Sequence, residues 1–176
     1  MKSVIIYGSC YGTTEKYAQE MSHMTGIECV SYEKVNDIDA YDKIIYLGGL
    51  YAGGVLGLSK TLKKLTDPTG KEIVIITVGL ADPTDQTNIQ NIRRSMKTQV
   101  SEAVYQHAKI FHLRGGIDYG KLNFKHKTMM SLLYNKVKKM PPEKQNAETR
   151  AMIETYNQKV DFVNLDKLNE IVELCK

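Results

Sequence analysis

The sequence predicts an α/β protein in which a doubly wound, five-stranded parallel sheet carries helices on both faces. Short apolar, β-branched runs of strand length alternate with segments whose apolar residues recur at helical spacing, as in βαβ units. Several of the runs are continuously apolar, which is typical of parallel strands buried on both faces. The expected strands are residues 4–7, 27–32, 43–47, 72–78 and 109–113.

Helices are predicted between these strands and at the end of the chain. After the first strand, Tyr17, Ala18 and Met21 recur at helical spacing, and Gly26 suits the C-cap of that helix. Further helices are expected at 56–65, 88–104 and 165–175, the last with Asn164 as its N-cap. The expected strand order is 2-1-3-4-5.

One long segment, residues 119–161, does not fit the alternation of strands and helices. It exceeds the usual length of a connection between a strand and a helix. We therefore expect a single domain over residues 1–176, with 119–161 as a helical insertion before the last helix.

Composition narrows the class of protein. The chain has 176 residues, of which 42% are hydrophobic and 25% charged, and its net charge is +4. These values are ordinary for a soluble globular protein, and we expect no signal peptide, membrane span or nucleic-acid partner. Cys10, Cys29 and Cys175 lack C-x-x-C spacing, which favours reduced thiols and a cytoplasmic location. The histidines show no metal-ligand spacing, so we expect no metal site.

The first strand runs into a loop of small residues and hydroxyl groups where the first helix begins. Such a loop directs free backbone N–H groups and the positive end of a helix dipole at one point, which suits a phosphate. The Walker and G-x-G-x-x-G patterns are both absent. The alternative is an ordinary turn in which the hydroxyls cap the helix. The loop residues are Ser9, Cys10, Tyr11, Gly12, Thr13 and Thr14.

No lysine or arginine lies between Ser3 and Glu15, so neutral dipoles would hold a phosphate here. The spacing Ser9-x-x-Gly12-x-Thr14 resembles the phosphate loop of flavodoxins, which bind FMN. Cys10 either contributes only its backbone N–H or acts as a redox thiol.

Glycine-rich loops also follow the third and fourth strands, which are neighbours of the first in the expected order. With these loops, the whole chain resembles the flavodoxin family, in which the two loops hold the isoalloxazine ring. The resemblance implies FMN as cofactor, with Tyr51 as an aromatic face for the ring. It places Gly49, Leu50, Tyr51, Ala52 and Gly53 on one side of the ring and Gly79, Leu80 and Ala81 on the other.

The chain departs from ordinary flavodoxins in two ways. The loop 79–86 contains no aromatic residue, so one face of the ring is either covered by aliphatic groups or open to a substrate. The chain is also basic, whereas ordinary flavodoxins are acidic. Both departures count against a standard electron-shuttle role.

The insertion adds a second resemblance. The stretch 113–119, followed by Met129, Met130, Leu132, Leu133 and Tyr134, resembles menaquinone-dependent protoporphyrinogen oxidases, flavodoxin-fold enzymes that associate with membranes. Residues 119–142 include no acidic residue. A basic amphipathic helix suits an anionic membrane, although an ordinary packed helix with solvated lysines is the alternative. The basic residues are Lys121, Lys125, Lys127, Lys136, Lys138 and Lys139.

Two functions follow from these resemblances. One is an FMN-dependent oxidoreductase that passes electrons between the flavin and a quinone or porphyrinogen-type substrate, at the inner face of the membrane. The other is a plain flavodoxin carrier between redox partner proteins. A phospho-receiver domain is disfavoured because 7–9 and 47–49 contain no carboxylate. The sequence indicates no catalytic acid or base.

Overall fold

The computed structural model describes residues 1–51 and 53–175. The strands are β1 (Ser3–Gly8), β2 (Cys29–Ser31), β3 (Lys43–Tyr51), β4 (Gly54–Val55), β5 (Glu72–Gly79), β6 (Ala108–Arg114), β7 (Gly116–Asp118) and β8 (Lys159–Asp161).

The central sheet has the order β2–β1–β3–β5–β6, all parallel, and the short β4 pairs antiparallel with the end of β3. The fourth and fifth predicted strands are β5 and β6. The predicted fold class and strand order are therefore confirmed.

Seven α-helices are present in the described part of the chain. Short 3-10 turns add Tyr32–Lys34 and Pro142–Lys144. The α-helices are α1 (Thr13–Thr25), α2 (Leu58–Leu62), α3 (Gln86–Gln99), α4 (Glu102–His107), α5 (Phe124–Val137), α6 (Ala147–Thr155) and α7 (Lys167–Leu174).

The core has two layers because successive side chains of a strand point to opposite faces of the sheet. Val4 and Ile6 join a cluster that α2, α3 and α4 cover, whereas Ile5 joins a second cluster under α1 and α7. Strands β3 and β5 repeat this alternation. The continuous apolar character of the central strands thus reflects burial on both faces.

The helix predicted at 88–104 is two helices in the structure. Val100 has extended backbone (φ −129°) and is buried in the first core cluster, and the hydroxyl of Ser101 accepts a hydrogen bond from Val104 N at 3.3 Å. A serine that caps a helix competes with continuation of the preceding one, so α3 ends and α4 begins here.

Two other predicted helix boundaries were wrong. The helix expected from residue 56 begins only at Leu58, because Gly57 adopts a left-handed conformation (φ +76°). The final helix begins at Lys167 and is not capped by Asn164. Instead, the Asn164 side chain accepts a hydrogen bond from Asp166 N at 3.0 Å, which forms a turn ahead of the helix.

The two ends of the insertion are joined by a two-stranded ribbon, which the sequence did not predict. Strand β7, just before the expected insertion, pairs antiparallel with β8 at its end. Tyr119 N also donates to the Gln158 carbonyl at 3.2 Å. Three-residue strands carry too little periodicity to be recognised, yet this pairing brings both ends of the insertion to one point.

A buried histidine lies on β6. His112 Nδ1 hydrogen-bonds Thr77 Oγ1 at 2.7 Å, while its buried Nε2 has no hydrogen-bond partner among the described residues. Burial, with a smaller contribution from the charge of Arg93, lowers the pKa of His112 from 6.5 to about 4. The neutral imidazole is therefore the form that the folded protein favours.

We predict that this histidine makes stability depend on pH. The pKa of His112 is lower in the folded than in the unfolded chain, so the unfolded chain binds a proton first as the pH falls. The unfolding free energy is therefore highest, with respect to this histidine, above pH 6.5, and it decreases as the pH falls towards 4. The loss is up to about 3 kcal/mol of unfolding free energy. Urea unfolding across this range should show a shallower pH dependence for His112→Asn. The exposed His107→Asn is the matched control and should retain the wild-type slope.

Candidate functional site

Three loops meet at the carboxyl edge of the sheet. They follow β1, β3 and β5, which are adjacent, and the register pairs Gly8 with Gly48 and Gly48 with Thr77. A Cβ built on Gly79 would lie 2.6 Å from Leu50 Cδ1, so the loops after β3 and β5 touch directly. The edge of the sheet thus brings together the three glycine-rich segments.

The loop after β1 leads into an α1 whose first turn carries no side-chain cap among the described residues. Gly12 is the N-cap in a left-handed conformation (φ +93°), which glycine adopts without strain. The hydroxyl of Ser9 accepts a hydrogen bond from Gly12 N at 3.0 Å and shapes the turn. The alternative, in which the hydroxyls cap the helix, is thus not what the structure shows, and the N–H groups of the first turn remain directed at the loop.

One carboxylate lies in the first turn of α1. It belongs to Glu15 and accepts hydrogen bonds from Tyr7 Oη of β1 at 2.9 Å and from Gln19 Nε2 at 3.2 Å. The hydrogen bond to Glu15 raises the pKa of Tyr7. A negative charge in this position is favourable to the dipole of α1.

The other predicted residues of this loop differ in exposure. Thr14 is buried, and a Cβ on Gly49 would lie 3.1 Å from its hydroxyl, so the end of β3 adjoins the loop after β1. Tyr11 and Cys10 are exposed. The surrounding loop desolvates the Cys10 thiol enough to raise its pKa, which is the opposite of an activated redox thiol.

The first predicted ring loop continues β3 into a tight hairpin. Tyr51 pairs with Gly54 in β4, and Gln99 of α3 hydrogen-bonds both backbone groups of Val55, at 2.8 and 3.1 Å. Ser95 of α3 also donates to the Gly53 carbonyl. Helix α3 therefore holds this loop in place. Ala52, which the sequence also placed in the site, lies outside the described residues.

The second predicted ring loop is held from the end of β6. Arg114 Nε donates to the Leu80 carbonyl at 2.9 Å, and Gly115 N donates to the Gly79 carbonyl at 2.7 Å. The Arg114 guanidinium also lies 3.7 Å above the centre of the Phe162 ring. Backbone groups of this loop are thereby fixed without an aromatic residue in the loop itself.

The insertion packs on this second ring loop. Ala81 forms a small apolar cluster with Ala147 and Ala151 of α6. Arg150 of α6 also approaches Asp85 at 3.7 Å. Beside this contact lies a polar cavity of about 400 Å³, lined by Asp82, Thr84, Asp85, Arg114, Ala147, Arg150, Ala151 and Glu154.

The insertion also reaches the other two loops, through a residue that sequence reasoning missed. His126, in the first turn of α5, hydrogen-bonds the hydroxyl of Tyr11 through Nδ1 and that of Tyr51 through Nε2, the latter at 2.6 Å. Its ring meets both tyrosine rings edge to face. Tyr11 and Tyr51 are 115 and 75 residues away in sequence. Such separations leave no spacing signal that could have revealed the contact.

Helix α5 lies on the outside of the molecule. None of its residues is buried, and Phe124 and Leu132 are 86% and 68% exposed. Leu133 is 38% exposed, and Met129, Met130, Tyr134 and Val137 are half-buried. All six lysines of the insertion named above are exposed, and none forms an ion pair among the described residues.

The part of the chain that the structure describes contains neither a membrane-spanning helix nor a metal-binding group. No helix combines the length and apolarity needed to cross a membrane. No group of three His, Cys, Asp or Glu side chains is arranged to hold a metal ion.

Comparison with known proteins identifies the family. A family model described as a flavodoxin domain matches residues 4–145. The chain belongs to the flavodoxin domain family. No curated protein matches its sequence significantly.

Solved structures similar to this flavodoxin-domain chain are distant. A putative flavoprotein from Bacteroides uniformis is 14% identical over 64% of this chain and 88% of its own, with a TM-score of 0.46. A Fusobacterium nucleatum flavodoxin bound to flavin mononucleotide is 17% identical, over 68% and 81%, with a TM-score of 0.45. A Lactobacillus acidophilus flavoprotein in complex with FMN is 12% identical, over 64% and 91%, with a TM-score of 0.44. Similarities this weak say nothing further about function.

We predict that the contact between α6 and the second predicted ring loop depends on the methyl group of Ala151. Ala151→Gly should lower the unfolding free energy by about 1–2 kcal/mol, because it removes a buried methyl group that packs on Ala81 and adds the helix penalty of glycine. Urea unfolding measures this change. Ala103→Gly, on the exposed side of α4, is the matched control; it carries only the helix penalty and should cost less. Equal effects of the two substitutions would contradict a close contact.

Proposed function

We propose that the three loops bind FMN and that the protein is an FMN-dependent redox protein. The observation that carries this proposal is the uncapped N-terminus of α1 at a glycine, beside loops that follow the two neighbouring strands. Membership of the flavodoxin domain family supports it. FMN is favoured over FAD because the edge of the sheet offers one phosphate loop.

The residues present fit a phosphate on chemical grounds. The first turn of α1 supplies N–H groups, the hydroxyls of Ser9, Thr13 and Thr14 stand beside them, and Gly12 leaves open space above the turn. Backbone groups of Cys10 and Tyr11 complete the proposed cradle. The phosphate would thus be held by neutral dipoles rather than by a cation.

The ring would contact both of the other loops, which meet where Leu50 lies against Gly79. Gly49, Leu50 and Tyr51 form one proposed wall, continued by Ala52 and Gly53. Gly79, Leu80 and Ala81 form the other. When bound, the flavin supplies the electron-transfer chemistry, and the protein binds it, orients it and limits the access of water.

We propose a quinone or a porphyrinogen-type compound as the redox partner, as in the protoporphyrinogen oxidase-like branch that the insertion resembles. Contacts of the insertion with all three loops support this, because any partner must reach the ring past α5 or α6. The cavity beside α6 offers space for a polar substituent of such a substrate.

Reoxidation of the reduced protein tests this choice of partner. FMN-loaded protein is reduced anaerobically and mixed with a menaquinone analogue or with a one-electron acceptor protein. A separate oxidised sample is mixed with protoporphyrinogen. Rapid transfer with the quinone or porphyrinogen supports the proposal. Transfer with the one-electron acceptor alone would instead indicate a plain flavodoxin carrier.

We further propose that α5 binds an anionic membrane, which would place a cytoplasmic protein at the inner face of the membrane. The supporting features are the two exposed apolar side chains Phe124 and Leu132 and the unpaired lysines around them. Lysines attract anionic lipid, and apolar side chains enter the headgroup region.

We predict that Thr14→Val weakens FMN binding through its phosphate. Loss of the hydroxyl should cost about 1–2 kcal/mol of binding free energy for FMN. Riboflavin, which lacks the phosphate, should be affected less. Fluorescence titration with both flavins measures the difference. Thr25→Val, at the opposite end of α1, is the matched control. An equal loss for FMN and riboflavin would contradict a phosphate role for Thr14.

We predict that replacing Lys136, Lys138 and Lys139 by Glu abolishes binding to anionic liposomes. Each lysine near such a surface contributes about 1 kcal/mol, so reversing three charges should reduce binding more than tenfold at low salt. Co-sedimentation with and without anionic lipid measures this, and high salt should weaken the wild type. The matched control reverses Lys60, Lys63 and Lys64, which are exposed around α2. If both triple variants behave alike, α5 is not the membrane surface.

A further inference from the structure

One contact of the insertion differs from the rest because it joins two separate loops of the proposed site. His126 hydrogen-bonds Tyr11, in the loop after β1, and Tyr51, the last residue of β3. Asn123, the N-cap of α5, accepts a hydrogen bond from His126 N at 2.8 Å and donates its own N–H to Tyr11 Oη at 3.3 Å. The start of α5 is thus tied to the phosphate loop twice.

Either tautomer of His126 satisfies these groups, because Tyr11 Oη accepts from Asn123 N and retains both a hydrogen and a lone pair. In one tautomer Tyr11 donates to His126 Nδ1 and Nε2–H donates to Tyr51 Oη. In the other, Nδ1–H donates to Tyr11 Oη and the Tyr51 hydroxyl donates to Nε2. The three side chains therefore form one continuous hydrogen-bonded chain across the mouth of the site.

The two halves of α5 are held in different ways. The C-terminal half is held by Tyr134, whose ring stacks on Tyr156 at 3.8 Å, and Tyr156 meets Tyr119 edge to face. No residue of the helix is buried. The bonds of His126 and Asn123 are consequently the main polar anchors of the N-terminal half among the described residues.

We propose that His126 is a positioning residue that fastens the insertion over the flavin site by joining Tyr11 to Tyr51. The inference rests on the proposed FMN site. Both tyrosines lie in segments that would contact the flavin. If the insertion has already ordered these segments, flavin binding costs less conformational entropy. The coupling is reciprocal. If the fastened insertion raises the affinity for FMN by a given factor, bound FMN raises the equilibrium constant for fastening by the same factor.

Flavin titration and limited trypsin digestion test the fastening together. Exposed lysines at 125, 127 and 136 make the sparsely anchored α5 the expected cleavage site. FMN should slow this cleavage in the wild type. In His126→Ala, the FMN dissociation constant should rise about 5- to 10-fold, which is the lower range of coupling between two sites, and the protection by FMN should diminish by the same factor.

Matched variants separate the hydrogen bonds from other effects. Tyr51→Phe keeps the aromatic face but removes the hydroxyl, so it should reproduce the effect of His126→Ala, and the double variant should be no worse than either. Asn135→Ala, on the exposed side of the same helix, should behave as the wild type. Circular dichroism establishes that each variant is folded, and His126→Gln provides a second, milder substitution.

Three results would overturn the proposal. They are unchanged or tighter FMN binding in His126→Ala, unchanged protection by FMN, and additive effects of His126→Ala and Tyr51→Phe. If the wild type binds no FMN, the proposed function fails instead. The fastening is then decided by digestion without flavin, where faster, non-additive cleavage of these variants supports it and wild-type cleavage rejects it.

Discussion

Burial of the central strands on both faces is the constraint from which the rest of the structure follows. Side chains of β1, β3 and β5 alternate between two apolar clusters, so helices must cover both sides of the sheet. Parallel strands then require crossover connections, and every loop that follows a strand emerges at one edge. The location of the candidate site is thus a consequence of how the core is packed.

Charge is divided between two parts of the molecule. The loop after β1 contains no lysine or arginine and offers only N–H groups, hydroxyls and the dipole of α1. One cluster of unpaired lysines lies on and around α5. Dipoles act over short distances, whereas a cluster of cations attracts an anionic surface from further away. The proposed cofactor site and the proposed docking surface therefore use different forces and need not compete.

The insertion is attached to the rest of the protein by a few small contacts. It rests on a two-stranded ribbon, a patch of alanines at Ala81, a stack of tyrosine rings and the bonds of His126. Segments with few buried apolar contacts belong to the least stable part of a protein. A cover over the proposed flavin site, which must admit a partner, is suited to that kind of attachment.

The sequence alone determined the strands of the sheet and the three glycine-rich loops, because these depend on apolar runs and glycines that are close together in the chain. The strand order was predicted from the order usual in doubly wound sheets. It did not reveal the break at Ser101, where one polar side chain overrides a helical pattern, nor the ribbon of β7 and β8. Only the tertiary structure brought His126 to Tyr11 and Tyr51, from 115 and 75 residues away. Contacts at such separations leave no periodic signal, because they are decided by how whole elements pack.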